Sequence, residues 1–241
     1  MTEKQDQIIY HESFGEGPGA WVCGKDKDDG LWAPNIFGKR GDSEPLKWQA
    51  DGGPGGKPCV SSRSPWYFDD NHGQFMWFYM VLLYPSKYWL EDHGEKDLRN
   101  ARISINVRGD GLQRKETKLL AWMQGYSREK DGYYVKGGVY YCWALTSQPI
   151  SGELDDGGWH ELDFCLRNDE NSWSQMGLIT LSKRIVVLHS TTCATGTLDH
   201  ILNGHHVNIG FMLAGIDPND PPAGGIDLAE VTLYAAPSGE G

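Results

Sequence analysis

Apolar and polar residues alternate along most of this chain with the period of two that marks a β-strand. In QIIYHESF, Ile8, Tyr10, Glu12 and Phe14 share one face. LKWQA and KPCVSS flank DGGPGG, whose glycines and proline read as a turn. QFMWFYMVLLY is apolar on both faces, as a central strand requires. In ARISINVRG, Ile103, Ile105 and Val107 face one way and Arg102, Ser104 and Asn106 the other. KLLAWMQG, GGVYYCWAL, WHELDFCL and KRIVVLH follow, then HVNIGFMLAGI with Val207, Ile209, Phe211 and Leu213 in phase, and finally GGIDLAEVTLY. Helical pattern is confined to Thr197–Gly204, with Thr197 placed to cap and Gly204 placed to terminate. GDGLQRKE, SREKDGYY, GELDDGG and DPNDPPAGG carry loop chemistry. Many short strands with glycine-rich turns predict an all-β fold, a single jelly-roll sandwich of antiparallel strands with at most one short helix. The expected organisation is a loose tail over residues 1–6 and one domain over 7–241.

The last strand contains an awkward residue. By strict alternation Asp227, Ala229, Val231 and Leu233 share a face, and Val231 and Leu233 make that the core face. A carboxylate there needs a partner.

Composition narrows the function. The net charge is −11, which argues against nucleic acid and suits neutral ligands or cations. The N-terminal MTEKQDQIIYHE has neither the apolar segment nor the cleavage site of a secretory signal, which leaves a cytoplasmic location as open as export. The longest apolar run, Phe75–Tyr84, falls short of a membrane span, so no membrane insertion is expected. Cys23, Cys59, Cys142, Cys165 and Cys193 match no zinc spacing. They read as free buried thiols, with a Cys23–Cys59 disulfide as the alternative in an exported form. Nothing in the sequence indicates an oligomeric state.

HESFGEGPGAW, WQADGGPGGKPCV, GGWHELDFCL and the pair IGFMLAGI and GGIDLAEVTLY occur in an order that resembles the jelly-roll sandwiches of carbohydrate-binding modules, and more loosely the laminin IV (laminin B) domain. The resemblance covers most of the chain, apart from Trp66–Tyr88 and Arg128–Lys136. It implies a carbohydrate ligand, neighbouring first and last strands, and a structural calcium ion at the sandwich edge. On that reading Asp227 and Glu12, both of core parity, share the ion, since two carboxylates near a core repel unless a cation or proton joins them. Glu16 and Asp51 are further candidate ligands. The alternative is that Asp227 accepts backbone N–H bonds at a strand end and that Glu12 is solvated.

The ten Trp and eleven Tyr exceed what a core of this size usually needs. Flat amphipathic rings stack on the C–H faces of sugars, while polar neighbours take the hydroxyls. Trp66, Tyr67, Tyr88, Trp89 and Tyr133 are the candidate platforms, with Trp77, Trp122 and Trp159 assigned to the core or its margins. An enzyme on the same fold is the alternative, either a glycosidase or a polysaccharide lyase. Glu161 and Asp163 share a strand face compatible with a carboxylate pair. His72, Tyr133 and Tyr134 are candidate bases, and His205–His206 a candidate metal or base pair. No catalytic signature is present, so catalytic residues are unassigned. A structural or interaction protein is the third reading.

Overall fold

The computed structural model describes residues 7–19, 21–22, 46–62, 67–68, 76–83, 96–127, 139–180, 197–204, 206–214, 220 and 222–237. Among the described residues there are thirteen strands: β1 (Ile8–Glu12), β2 (Trp21–Val22), β3 (Lys47–Gln49), β4 (Cys59–Ser62), β5 (Tyr67–Phe68), β6 (Met76–Leu83), β7 (Arg102–Gln113), β8 (Lys118–Ser127), β9 (Val139–Ala144), β10 (His160–Cys165), β11 (Ser174–Thr180), β12 (His206–Ala214) and β13 (Ala223–Tyr234). The α-helix found among the described residues is α1 (Thr197–Leu202). Every strand pairing among the described residues is antiparallel. A six-stranded first sheet runs β10-β7-β13-β4-β3, with β1 also on β13. A seven-stranded second sheet runs β11-β9-β8-β12-β6-β2, with β5 on β6. The chain is a jelly-roll β-sandwich.

Alternation places the core where the pattern predicts. Ile103, Ile105 and Val107 of β7 and Ile209, Phe211 and Leu213 of β12 are all buried in one cluster. Phe164 on β10 meets Phe211 across the sandwich at 5.5 Å between ring centroids, and Trp21 stacks on Phe211 at 6.5 Å. Side chains of this size each contribute about 1.5–3 kcal/mol when fully buried. A six-residue helix is unstable alone. Here α1 is fixed by the burial of Leu198, Ile201 and Leu202 and by the Trp143 indole N–H, which donates to Thr197 Oγ1 at 3.3 Å. Gly204, with φ of 84°, stands where a helix-terminating glycine was expected. Among the described residues no helix is long and apolar enough to cross a membrane.

Two expectations change. Gly109–Gln113 was expected to be loop, but it continues β7, because β13 extends far enough to pair with it: Ala223 lies opposite Gln113 and Gly225 opposite Asp110. The intervening Gly224 has φ of 96°, and a Cβ there would sit 2.3 Å from Gly111 O, so only glycine fits. The second change concerns the last strand. Asp227 pairs with Arg108, Leu228 with Val107 and Ala229 with Asn106, but Val231 pairs with Ile105. Glu230 is left over as a β-bulge, with φ of 50°. One extra residue reverses the parity. Leu228, Val231 and Leu233 therefore share the core face with Val107, Ile105 and Ile103, while Asp227 lies on the outer face with Arg108. The expectation that Asp227 points the same way as Val231 and Leu233 is overturned.

Candidate functional site

Asp227 is fully buried although it lies on the outer face of the first sheet. The loop over residues 50–58 accounts for the cover. A Cβ on Gly53 would come within 3.3 Å of Ala229 Cβ, and one on Gly52 within 2.8 Å of Cys59 Sγ. Lys57 Nζ ties the loop to the bulge through Glu230 Oε2 at 3.0 Å. Beneath it, Arg108 donates to Asp227 Oδ2 from Nε at 3.0 Å and from Nη2, and its guanidinium lies 4.8 Å above the Trp159 ring. Gln49 Nε2 donates to Ser61 Oγ at 2.6 Å beside the pair. Asp227 Oδ1 has no hydrogen-bond partner among the described residues. Burial, then the Asp227 carboxylate, push the neighbouring Cys59 thiol up to about 11; Arg108 opposes this and Asp51 adds to it. Cys59 and Cys165 carry free thiols; Cys23 and Cys193 lie outside the described residues.

The four candidate calcium ligands are divided between the two sides of the sheet. Glu12 lies opposite Val231, on the core side. Its carboxylate accepts from the Phe14 backbone N–H at 2.7 Å and the Tyr10 hydroxyl at 3.5 Å. Burial and the Glu12 charge together push the Tyr10 phenol above its ordinary range. Glu16 is exposed in the turn after β1. Asp51 belongs to the loop over the outer face, close enough to Cys59 to act on its thiol. The bulge thus places the Asp227 carboxyl across the sheet from Glu12, with arginine as its counter-charge. Asp227 takes a side-chain cation rather than strand-end N–H groups, a partner that neither sequence reading named. Among the described residues there is no group of three or more His, Cys, Asp or Glu able to hold a metal.

Of the aromatic candidates, Trp66, Tyr88, Trp89 and Tyr133 lie outside the described residues, and Tyr67 is placed in β5 by its backbone alone. His72, Tyr134 and His205 are also outside, and His206 is placed by the backbone of β12. Glu161 and Asp163 project from the outer face of β10, both exposed, opposite Asn106 and Ser104. Asp163 is engaged by Arg102, whose Nη1 donates to Oδ1 at 3.0 Å.

That arginine belongs to a groove of about 530 Å³ at the far end of the same outer face. Arg102 at the start of β7 is in register with Tyr234 at the end of β13 and Cys165 at the end of β10. Its guanidinium stacks 3.9 Å from the centre of the Tyr234 ring. The turn before β7 contributes Asn100, whose φ is 58°. Asn100 Oδ1 accepts from the Asn168 backbone N–H at 3.3 Å, and Asn168 Nδ2 donates to Asp199 Oδ1 at 2.7 Å. Asp169 Oδ1 accepts from Asn171 N at 3.1 Å and from its Nδ2 at 3.0 Å, and Ser172 Oγ donates to Oδ2 at 3.3 Å. These bonds, the Asn171 backbone N–H first, hold the Asp169 carboxyl below the ordinary carboxylate range. Gln148 bonds both backbone groups of Cys165 at 2.9 Å, which fixes the end of β10. An aromatic ring, a stacked guanidinium and two oriented amides thus face one cavity within the size range of ligand sites. Sequence reasoning put Arg102 on the polar face of its strand and Tyr234 at the end of its own. Only the cross-strand register makes them neighbours.

No family model matches the sequence, and no curated protein matches it. Solved structures similar to it include a xylan-binding module, CBM15, at TM-score 0.43 and 11% identity over 96% of this chain and 98% of that one. CtCBM11, solved in solution, gives TM-score 0.46 and 10% identity over 99% of this chain and 100% of that one. The CBM22-1 xylan-binding domain from Paenibacillus barcinonensis Xyn10C gives TM-score 0.44 and 12% identity over 98% of this chain and 100% of that one.

Proposed function

We propose that the chain is a glycan-binding protein that holds a sugar in the groove between the ends of β7, β10 and β13. The observation that carries this reading is the Tyr234 ring with the Arg102 guanidinium 3.9 Å from its centre, beside the amides of Asn100 and Asn168. A pyranose presents an apolar C–H face and a polar hydroxyl rim at once. An aromatic ring set beside fixed planar donors matches both. The hydrogen bonds behind the groove limit the ordering cost of binding. Trp66, Tyr67, Tyr88, Trp89 and Tyr133 remain candidates for a longer platform in this proposal.

The test is calorimetric titration with a panel of short oligosaccharides. At least one should bind saturably without turnover. Tyr234→Ala should then weaken it about tenfold, equivalent to ~1.4 kcal/mol. Absence of saturable binding by any glycan, or unchanged affinity in both Tyr234→Ala and Asn168→Ala, would overturn the reading.

A further inference from the structure

We infer that the groove selects glycans that carry a carboxylate, that is, polymers containing uronic acid, with Arg167 as the group that reads the acid. The inference rests on the glycan-binding reading and goes further by naming the class of sugar. Among the described residues, Arg99, Arg102, Arg108 and Arg114 each form an ion pair, with Asp97, Asp163, Asp227 and Asp155 respectively. Arg167 is the described arginine without one. It lines the groove, and its main chain is anchored on both sides of the peptide unit. Its N–H donates to Cys165 O at 2.9 Å, and its carbonyl accepts from the Trp173 indole N–H at 2.8 Å.

The charges lining the groove run against those of the whole molecule. The chain carries −11. The groove carries two guanidinium groups, Arg102 and Arg167, against the single carboxylate of Asp169. That carboxylate is already turned to Asn171 and Ser172. The Arg102 charge is shared with Asp163. Arg167 acts on Asp169 through space but makes no ion pair among the described residues, so its guanidinium donors stand open beside an aromatic ring and two amides. A guanidinium fork matches a planar carboxylate with two parallel N–H···O bonds and gains less from a neutral hydroxymethyl group. A uronic acid residue supplies that carboxylate on a ring that still has its C–H face and hydroxyls.

The experiment titrates the full chain with oligogalacturonate and oligoglucuronate, each paired with its carboxyl-reduced counterpart of equal length. The acidic form of at least one pair should bind at least tenfold tighter than the reduced form. Arg167→Gln should bring that ratio close to one without moving the melting temperature, because the side chain is exposed and Gln keeps a donor. Equal binding of acidic and reduced forms would overturn the inference while leaving the glycan reading intact, and so would a preference that survives in Arg167→Gln. Absence of binding by both forms and by every neutral glycan would overturn both.

Discussion

At the scale of single residues, the Arg108–Asp227 pair decides the most. Asp227 is fully buried, and Arg108 is its charge partner. Removing one member of a buried pair strands the other charge, at about 3–5 kcal/mol. The Arg108 side chain keeps a quarter of its exposure, which places Arg108→Met near the lower end, about 3 kcal/mol. The double variant Arg108→Met, Asp227→Leu should recover most of that loss in urea denaturation; no loss in the single variant would refute the pairing. Cys59 supplies a pH test. Its folded value, about 11, lies above the ordinary 9.0. A raised value favours the protonated thiol in the folded state. That contribution to stability is complete below about pH 9 and is lost as pH rises through about 11. The drop in urea midpoint between pH 8 and about pH 10.5 should therefore be smaller in Cys59→Ala than in the wild type. An identical drop in both would show that the thiol does not titrate as described.

At the scale of elements, the bulge at Glu230 is the feature that alternation could not reveal. A glutamate with positive φ has no sequence signature, and one unpaired residue reverses the parity of everything before it. The pattern was therefore right for Val231 and Leu233 and wrong for Asp227, four residues earlier. A similar limit applied to β7, where GDGL carries turn chemistry yet continues as strand because β13 reaches it. By contrast, Ile103, Ile105 and Val107 were legible, since nothing interrupts their alternation. The bulge makes its own prediction. The left-handed conformation costs a residue with a Cβ roughly 1–2 kcal/mol, and a β-branched residue bears it worst. Glu230→Gly should hold or raise the melting temperature, giving up only the exposed Lys57 contact. Glu230→Val should lower it. The reverse order would mean that Glu230 is not the inserted residue.

At the scale of the whole molecule, β13 holds the first sheet together, pairing with β7, β1 and β4. Chain truncated before Gly224 should lose cooperative unfolding and β-type circular dichroism, and a sharp melt retained by that fragment would contradict this. The sandwich class was legible because so many strands carry their own period. The groove was not, because it exists only where the ends of three strands distant in sequence come into register: Arg102, Cys165 and Tyr234. For the same reason Asp227 and Glu12, which share core parity along their strands, stand on opposite sides of the sheet. On the proposed function, ligand binds in this groove. Backbone amide chemical shifts, followed by NMR while the oligosaccharide that binds best is titrated, test it most directly. Saturable shifts should concentrate at Asn100–Arg102, Cys165–Asp169 and Tyr234–Ala235. Saturable shifts that leave these residues unmoved would contradict it.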